Sequence, residues 1–220
     1  DLVDINCGCP SIKITGSEAG SYLLMHPEKI GRIIEILKSA GLVVTAKIRL
    51  GFKKNNLLEV ARAIERAGAD ALTVHGRLAV DGGSIPANWN EIARVKKILK
   101  IPVIGNGDVS TGKDVERIMR ETGCDGVMIA RGAIGDPYIF ERILYYLKTG
   151  KEEEFSVEKN LKAFVEYLNL VKKYNVFDIG RVKHIGGSFL REFRGAAQKR
   201  EEFMKLKTFD EIDEFAKKSI

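Results

Sequence analysis

The segment Val43-Val-Thr-Ala-Lys-Ile-Arg-Leu50 alternates apolar and polar side chains in the manner of a half-buried β-strand. Successive side chains of a strand point to opposite faces, so its apolar residues share one face, and Lys47 and Arg49 share the other. The apolar face predicts packing against helices. The two cations on the opposite face then need an anionic partner, which is either a carboxylate of the chain, such as Asp4 or Asp70, or a bound ligand.

Four other segments have the character of buried strands and alternate along the chain with amphipathic helical patterns. Strands that alternate with helices predict a parallel sheet with crossover helices, which is an α/β fold. The other predicted strands are 2–6, 71–75, 102–105 and 126–130, and the predicted helices between and after the strands are 27–40, 56–67, 87–99, 111–121 and 136–147.

Beyond residue 150 no further strand is convincing, and the pattern becomes helical. Ser156 is placed to cap a helix that runs to about residue 174, and Thr208-Phe-Asp-Glu211 is a capping box for a last helix. Residues 181–207 are predicted to be helical, with a break around Gly195. We therefore predict two domains, an α/β domain over residues 1–150 and a small all-α domain over residues 151–220.

The basic residues are concentrated in the segment 181–207. Eight Lys and Arg residues stand there against three Glu residues, which gives +5 of the net charge of +6. A basic, mostly helical segment beside an α/β domain favours a nucleic acid or another polyanion as partner. The alternative interpretation is a solvated helix face.

The composition is that of a globular chain, with 45% hydrophobic and 30% charged residues among 220. No apolar run approaches the ~20 residues that a membrane helix needs, so no membrane partner is expected. Three cysteines are too few for a disulfide framework and favour a reducing compartment such as the cytoplasm, and they show no metal-ligand spacing with the three histidines, so no metal is expected. Because Asp1 already lies beside the first predicted strand, we expect further sequence upstream of it.

Polar side chains collect where the predicted strands end. Asn6, Lys47, Arg49 and His75 fall near the carboxyl ends of three neighbouring strands, and α/β proteins bind ligands at that end of the sheet. This pattern predicts a ligand site. An internal network of salt bridges is the alternative.

Glycine-rich turns follow the last two predicted strands. They are Ile104-Gly-Asn-Gly-Asp108 and Ala130-Arg-Gly-Ala-Ile-Gly135. Both lead into the start of a helix, and glycine lets backbone N–H groups approach an anion. The two turns together predict a phosphate site, and tight-turn packing is the alternative.

A pair of cysteines follows the first predicted strand, in Cys7-Gly-Cys9-Pro10. A thiol at the carboxyl end of a strand can act as an acid or a nucleophile when its pKa suits the reaction. The alternative is a small buried side chain without a chemical role.

Together these motifs resemble the tRNA-dihydrouridine synthases, which are flavin-dependent (β/α)8 barrels with a C-terminal helical domain. The resemblance runs in order through the whole chain, and the motif around Cys9 is its most specific part. It comprises Asp4-Ile-Asn-Cys-Gly-Cys-Pro10, Lys13, Ala46-Lys-Ile-Arg-Leu-Gly51, Val74-His-Gly-Arg77, Asn88-Trp89, Pro102-Val-Ile-Gly-Asn-Gly-Asp108, Gly126-Val-Met-Ile-Ala-Arg-Gly132, Lys183-His184 and Phe193-Arg-Gly-Ala196. It implies a partial (β/α)8 barrel made of the last five βα units, followed by a helical domain that binds tRNA.

The resemblance also implies an activity and a site. The activity is FMN-dependent reduction of uridine to 5,6-dihydrouridine in tRNA, with NADPH or NADH as the electron donor and Cys9 as the general acid that protonates the uracil. The implied cofactor-binding residues are Lys47, His75, Asn106, Gly107, Asp108, Ala130, Arg131 and Gly132, and the implied substrate-binding residues are Asn6, Lys13, Arg49, Arg77, Lys183, His184, Arg191 and Arg194.

The segment 78–85 departs from the family. Apolar and small residues, such as Leu78, Ala79 and Ile85, stand there in place of the polar and aromatic residues often found. Two other interpretations stay open: an FMN barrel that acts on a small molecule, as dihydroorotate dehydrogenases do, and a non-catalytic fragment that binds RNA or phosphate. The sequence predicts neither the modified uridine nor the oligomeric state.

Overall fold

Five segments form one parallel sheet in this computed structural model, which describes residues 2–191 and 193–219. The strands are β1 (Leu2–Cys7), β2 (Val43–Arg49), β3 (Ala71–His75), β4 (Val103–Asn106) and β5 (Gly126–Met128). They pair in chain order, so β1 and β5 have one neighbour each among the described strands. The predicted α/β class, with consecutive βα units of a partial barrel ahead of a helical region, is confirmed.

The chain separates into two units. Unit 1 comprises Asp1–Val109 and Lys113–Ile129, and unit 2 comprises Ser110–Gly112 and Ala130–Ile220. The domains predicted over residues 1–150 and 151–220 stay a prediction beside this division. Two predicted features, the chain start at Asp1 and the contribution of Glu192 to the basic segment, lie outside the described residues.

The helices that follow the strands of unit 1 are amphipathic, and each buries its apolar side. They are α2 (Pro27–Ser39), α3 (Leu57–Arg66), α4 (Trp89–Ile98) and α5 (Gly112–Thr122), of which Gly112 belongs to unit 2. Their fully buried residues, such as Ile34, Ile64 and Ile92, form one core with the alternate residues of the strands, such as Ile48 and Leu72. Burial of each such side chain stabilises the unit by ~1.5–3 kcal/mol.

Two short elements between β1 and α2 were not predicted from the sequence. They are α1 (Ile12–Thr15) and a 3-10 turn (Gly20–Met25). A helix of four residues without a buried side chain leaves no hydrophobic period to detect.

An aspartate braces the amino ends of β2 and β3. Asp70, which immediately precedes β3, accepts hydrogen bonds from the Val44 backbone N–H at 2.7 Å and from Lys38 Nζ at 2.8 Å. The hydrogen bond from Lys38 is the first cause that lowers the pKa of Asp70. Because Asp70 pairs with Lys38 at this end of the sheet, it is not the partner of Lys47 that the sequence left open.

The same arrangement recurs two strands later. Asp125, which precedes β5, accepts hydrogen bonds from the Val103 N–H at 2.8 Å and from Lys96 Nζ at 2.6 Å. We call each of these arrangements of lysine, aspartate and strand amide a clip. The clips fix the amino ends of the strands, opposite the predicted site.

Unit 2 is helical in its described residues. It contains a 3-10 turn (Arg131–Ala133) and the helices α6 (Ile139–Thr149), α7 (Val157–Lys173), α8 (Ile179–Phe189), α9 (Ala196–Lys205) and α10 (Phe209–Lys218). Three predictions about the ends of these helices are confirmed. Ser156 caps α7, the capping box of Thr208 and Glu211 begins α10, and the chain leaves the helical conformation before Gly195, which has φ +86°. No helix in the described ranges has the length and apolar character needed to cross a bilayer.

An aromatic cluster forms the core of unit 2. The ring of Phe164, fully buried on α7, stacks on Phe189 at 5.2 Å and meets the edge of Phe203 at 5.8 Å. A Cβ at Gly186 would come within 2.6 Å of two of these rings. Glycine at this position therefore lets α8 approach α7 and α9 closely.

Candidate functional site

The register of the sheet brings the predicted polar residues of unit 1 together. Asn6 pairs with Lys47 in one row across the strands, and the next row, two residues further on, pairs Arg49 with His75 and His75 with Asn106. Residues two apart on a strand share a face, so both rows lie on one face at the carboxyl ends of β1 to β4. Their proximity was predicted for β1 to β3, and the roles of the single residues stay predictions.

Lys47 is a half-buried cation without a carboxylate partner among the described residues. Asp4, one of the two carboxylates that the sequence offered as a partner, accepts a hydrogen bond from Thr45 Oγ1 at 2.7 Å. Burial is the main cause that lowers the pKa of Lys47, the positive charge of Arg49 adds to it, and Asp4 acts in the opposite sense. A partly desolvated ammonium group of this kind favours an anionic or electron-rich ligand.

Arg49 is engaged with the backbone. Its Nε donates to the Gly8 carbonyl at 2.9 Å, and its Nη1 donates to the Leu78 carbonyl at 2.9 Å. The guanidinium therefore ties the turn after β1 to the segment after β3. Its predicted contact with substrate stays a prediction.

The turn that carries Cys9 is held from both sides. The side-chain oxygen of Asn6 accepts hydrogen bonds from the Gly8 and Cys9 N–H groups, each at 3.0 Å, and the Cys9 carbonyl accepts one from the Ser21 N–H at 2.9 Å. The amide nitrogen of the Asn6 side chain has no partner among the described residues. Asn6 therefore orients Cys9 and keeps a donor available.

The three cysteines differ in access to solvent. Cys7 and Cys124 are buried, whereas Cys9 is partly exposed. Burial, with a smaller contribution from Asp4, raises the pKa of Cys7 to about 12, so that thiol is a poor acid at neutral pH. Cys9 is the thiol that a ligand can reach.

No cluster of three or more metal-binding side chains occurs in the part of the chain that the structure describes.

Arg77 is buried, and each of its three guanidinium nitrogens contacts another group of the chain. Its Nη2 lies 2.6 and 2.7 Å from the two carboxylate oxygens of Asp108, its Nη1 lies 3.1 Å from His75 Nε2, and its Nε donates to the Ile85 carbonyl. Only 3% of the side chain is exposed. Arg77 and Asp108 thus hold the segment 77–88 against the end of β4, and their predicted direct contacts with substrate and cofactor stay predictions.

His75 is a neutral imidazole at physiological pH. Burial is the largest cause that lowers its pKa from the usual 6.5 to about 4; the charges of Arg49, Lys47 and Arg77 follow, and Asp108 opposes them. The ring is half-buried, on the same face as Lys47. It is therefore suited to exchange hydrogen bonds with a ligand without carrying a charge.

The turn after β4 is tightly packed around Gly107. This glycine has φ +119°, and a Cβ there would lie 2.7 Å from Ala87 Cβ and 2.9 Å from His75 Cδ2. Its carbonyl accepts a hydrogen bond from Trp89 Nε1 at 3.0 Å, and Asn106 Nδ2 donates to the Met128 carbonyl at 2.8 Å. Close packing accounts for the glycine, and the predicted phosphate contact by this turn stays a prediction.

The second glycine-rich turn belongs to unit 2. Ala130 and Arg131 are exposed and Gly132 is half-buried, at the 3-10 turn that follows β5. A cavity of about 300 Å³ in this unit is lined in part by Gly132, Phe155 and the ion pair of Arg142 with Asp136. Phe155, Asp136 and Arg142 were not among the residues predicted from the sequence. The opposite charges of Asp136 and Arg142, six residues apart near a predicted helix start, were a visible signal of an ion pair.

The residues predicted to contact RNA differ in their engagement. His184, Arg191 and Arg194 in unit 2 and Lys13 on α1 are exposed, whereas Lys183 is half-buried and donates to the Met204 carbonyl at 2.9 Å. Arg191 donates from Nε to the Ser188 carbonyl at 2.6 Å and from Nη2 to the Ile134 carbonyl. Of these five members of the predicted substrate-binding set, four are exposed, and Arg191 among them is also hydrogen-bonded to the backbone. Their contacts with RNA stay predictions.

Comparison with known proteins gives a consistent result. A family profile described as "Dihydrouridine synthase (Dus)" matches residues 1–220. A "Probable tRNA-dihydrouridine synthase" of Aquifex aeolicus is 35% identical over 178 residues, which are 79% of this chain and 55% of that protein. A "Probable tRNA-dihydrouridine synthase 1" of Synechocystis is 36% identical over 217 residues, 95% of this chain and 60% of that protein.

A relative with a more specific name is also similar. The "tRNA-dihydrouridine(16) synthase" of Neisseria meningitidis is 34% identical over 217 residues, 96% of this chain and 65% of that protein. The chain thus spans between one half and two thirds of the length of these relatives.

Proposed function

The chain belongs to the dihydrouridine synthase family, and on that premise we propose that it acts in the reduction of a tRNA uridine to 5,6-dihydrouridine. The family is flavin-dependent. We propose FMN as the flavin, NADPH or NADH as the electron donor, and the cytoplasm as the compartment. The observation that carries the proposal is the accessible thiol of Cys9, held at the sheet end beside the row of Asn6 and Lys47.

The donor set of unit 1 fits a flavin. Lys47 is a half-buried cation whose charge has no carboxylate partner among the described residues, and a cation stabilises the electron-rich ring of a reduced flavin. His75 on the neighbouring strand is neutral and half-buried. Lys47 and His75 would therefore hold the ring, and Asn106, Gly107, Asp108, Ala130, Arg131 and Gly132 are proposed to hold the rest of the cofactor.

The chain's own contribution to the reaction is positioning and a proton. When bound at this site, a reduced flavin would supply the hydride for C6 of the uracil. Cys9 holds a proton at Sγ and delivers it to C5, and the resulting thiolate recovers a proton from solvent. Asn6 is proposed to donate a hydrogen bond from its free amide nitrogen to the uracil, while its oxygen keeps the Cys9 backbone in place.

The tRNA is proposed to contact the basic segment of unit 2. Arg191 and Arg194 are exposed there, as is His184, and arginines at a surface bind phosphates with little dependence on sequence. A uridine within a folded RNA is stacked, so it must be extruded to reach a thiol at the end of a sheet. The other predicted substrate-binding residues are proposed to act in two ways. The exposed Lys13 would contact the RNA directly, and the residues hydrogen-bonded to the backbone would hold the substrate-binding segments in place; these are Arg49, Arg77 and Lys183.

The first experiment is a flavin-retention assay on the purified chain. We add FMN, remove free FMN by desalting, and record the visible absorption spectrum. The expected result is a retained flavin band that is shifted from that of free FMN, and a lower retained fraction in Lys47→Met. Lys54→Met, an exposed lysine after β2, is the matched control and should retain flavin like the unsubstituted chain.

The second experiment supplies NADPH and an unmodified tRNA transcript and measures loss of uridine. Formation of dihydrouridine that depends on added FMN supports the proposal. A chain that retains no flavin, or retains it equally well in Lys47→Met, contradicts the proposed cofactor site. A chain that is reduced by NADPH yet leaves every uridine intact contradicts the proposed substrate.

A further inference from the structure

The contact between Arg77 and His75 constrains where the imidazole carries its proton. Arg77 Nη1 lies 3.1 Å from His75 Nε2. A guanidinium is protonated throughout the accessible pH range and has no acceptor atom, so it can only donate. Nε2 must therefore be the unprotonated nitrogen of the ring, and a neutral His75 carries its proton on Nδ1.

The contacts of the Arg77 guanidinium fix its orientation, so that it can determine the tautomer of His75. Its three nitrogens have three different tasks: Nη2 pairs with Asp108, Nε donates to the Ile85 carbonyl, and Nη1 faces His75. Only 3% of the side chain is exposed. Rotation of the guanidinium away from Nε2 would break the ion pair with Asp108, in which Arg77 is the buried member, and a backbone hydrogen bond, so the donor stays directed at Nε2.

We propose that Arg77 is a positioning residue that holds His75 as the neutral Nδ1–H tautomer, so that His75 offers a hydrogen-bond donor to an acceptor atom of the bound ligand. Nδ1 has no acceptor among the described residues, and the ring is half-buried on the face that carries Lys47. The inference rests on the proposed function, since it names a donor for that same site. It also gives the ion pair of the buried Arg77 with Asp108 a role, which is to orient the guanidinium.

The charges around the ring support the neutral form. His75 on β3 faces Lys47 and Arg49 from β2, Arg77 from the segment after β3, and Asp108 from the turn after β4. Three of these four groups are cations. A proton on both ring nitrogens would add a fourth positive charge and would remove the acceptor that Arg77 uses.

The test is a two-bond ¹H–¹⁵N correlation spectrum of the flavin-free chain labelled with ¹⁵N-histidine at neutral pH. The chain has three histidines, and the spectrum of His75→Gln identifies the signals of His75 by subtraction. We expect a pyrrole-type Nδ1 and a pyridine-type Nε2 for His75, the reverse of the tautomer that a free imidazole side chain favours in water. A pyrrole-type Nε2, or two protonated nitrogens, overturns the proposal.

A variant then tests whether Arg77 is the cause. In Arg77→Met the donor to Nε2 is removed, so we expect the His75 signals to move toward the Nε2–H tautomer and the pKa of His75 to rise from about 4. Arg94→Met removes an arginine whose side chain is 55% exposed and pairs with the buried Glu91 on α4, and it should leave the His75 signals unchanged. Unchanged signals in a folded Arg77→Met variant, judged by its His26 and His184 resonances, overturn the role of Arg77.

A second substitution covers the case in which Arg77→Met does not fold. Arg77→Lys keeps a cation for Asp108 but offers one nitrogen in place of three, so it cannot fill the Nη1 and Nη2 positions at once. We expect it to lose the Nδ1–H tautomer, and retention of that tautomer contradicts the proposal. Because the spectra are taken without flavin, a failure of FMN binding leaves the tautomer result intact and counts against the proposed function alone.

Discussion

The carboxyl end of the sheet in unit 1 and the basic segment of unit 2 both collect cations, and they hold them differently. Lys47, Arg49 and Arg77 are half-buried or buried, and strand register or hydrogen bonds to the chain fix their positions. Arg191 and Arg194 in unit 2 are exposed. The first arrangement suits chemistry at one atom, and the second suits attraction of a polyanion over a surface.

The energetic weight of a charge follows from this difference. A charge removed from water loses hydration and interacts more strongly with its neighbours; burial first, and then the nearby cations, lower the pKa of His75 to about 4. Exposed charges are screened within a Debye length of ~8–10 Å at physiological salt. Substitutions at the sheet end should therefore have large local effects, whereas those in the basic segment should have small effects that depend on salt.

The largest expected effect comes from the thiol. Cys9→Ala removes the proposed acid and should slow uridine reduction by roughly 10²–10⁴-fold, the usual contribution of a positioned acid, while flavin and tRNA binding stay nearly intact. Single-turnover rates with prereduced enzyme measure it. Cys124→Ala, at a buried cysteine, is the control, and equal rates for the two variants would remove Cys9 from the mechanism.

The next effect concerns the turn after β4. Gly107→Ala adds a Cβ that clashes with Ala87 and His75 at a φ of +119°, so we expect a loss of about 3 kcal/mol in the free energy of unfolding. Gly41→Ala is the control, with φ +76° and nothing within 4 Å of the new Cβ, and should cost only about 1 kcal/mol. Urea unfolding distinguishes them, and equal losses would show that the turn yields without strain.

A smaller effect appears in the pH dependence of stability. The pKa of His75 is about 4 in the folded chain and 6.5 when unperturbed, so the unfolded chain binds the proton first as the pH falls. The contribution of His75 is complete above pH 6.5 and is lost as the pH falls toward about 4. After allowance for solvent screening of the half-buried ring, we expect a loss of about 1–2 kcal/mol.

His75→Gln serves as the reference for that measurement. Urea unfolding of both proteins at about pH 7 and about pH 5 gives the difference attributable to His75. His75→Gln should be less sensitive to this change of pH than the unsubstituted chain. The same sensitivity in both proteins would mean that burial and the cations around the ring do not lower the pKa of His75 in the folded chain.

The smallest effect per residue is expected in unit 2. Arg191→Glu combined with Arg194→Glu should weaken tRNA binding and flatten the dependence of log K on log salt by about one for each phosphate that the variant no longer binds. Arg32→Glu combined with Arg62→Glu is the matched control, since both are exposed on helices of unit 1. Equal salt slopes for the two double variants would move the RNA surface away from the basic segment.

Much of the fold follows from periodicity in the sequence. Strands β1 to β5 were each predicted within two residues of their observed ends, because alternation and flanking glycines mark them. The prediction that Lys47 and Arg49 share a face away from the helices also follows from alternation alone. The caps at Ser156 and Thr208 were readable because their partners lie three residues away.

The contacts of the site were less predictable, because they join residues far apart in the sequence. Nothing local shows that Asp108 faces Arg77 across 31 residues or that Arg49 reaches the Leu78 carbonyl across 29. The pairing of Asp70 with Lys38 depends on the length of α2, not on a motif. Alternation along a strand predicts on which face of the sheet a side chain lies. Its hydrogen-bond or ion-pair partner depends on how distant segments of the chain pack together.

The two clips at the amino ends of the strands lie on either side of one exposed segment of the chain. One clip joins residues 32 positions apart and the other joins residues 29 positions apart, and the exposed residues 82–86 lie between them. A chain cut within 82–86 would leave each clip whole in its own fragment. Strand β3 would still pair with β4, and Arg77 would still face Asp108, across such a cut. This segment is therefore the point at which the chain could be divided into two fragments that complement each other.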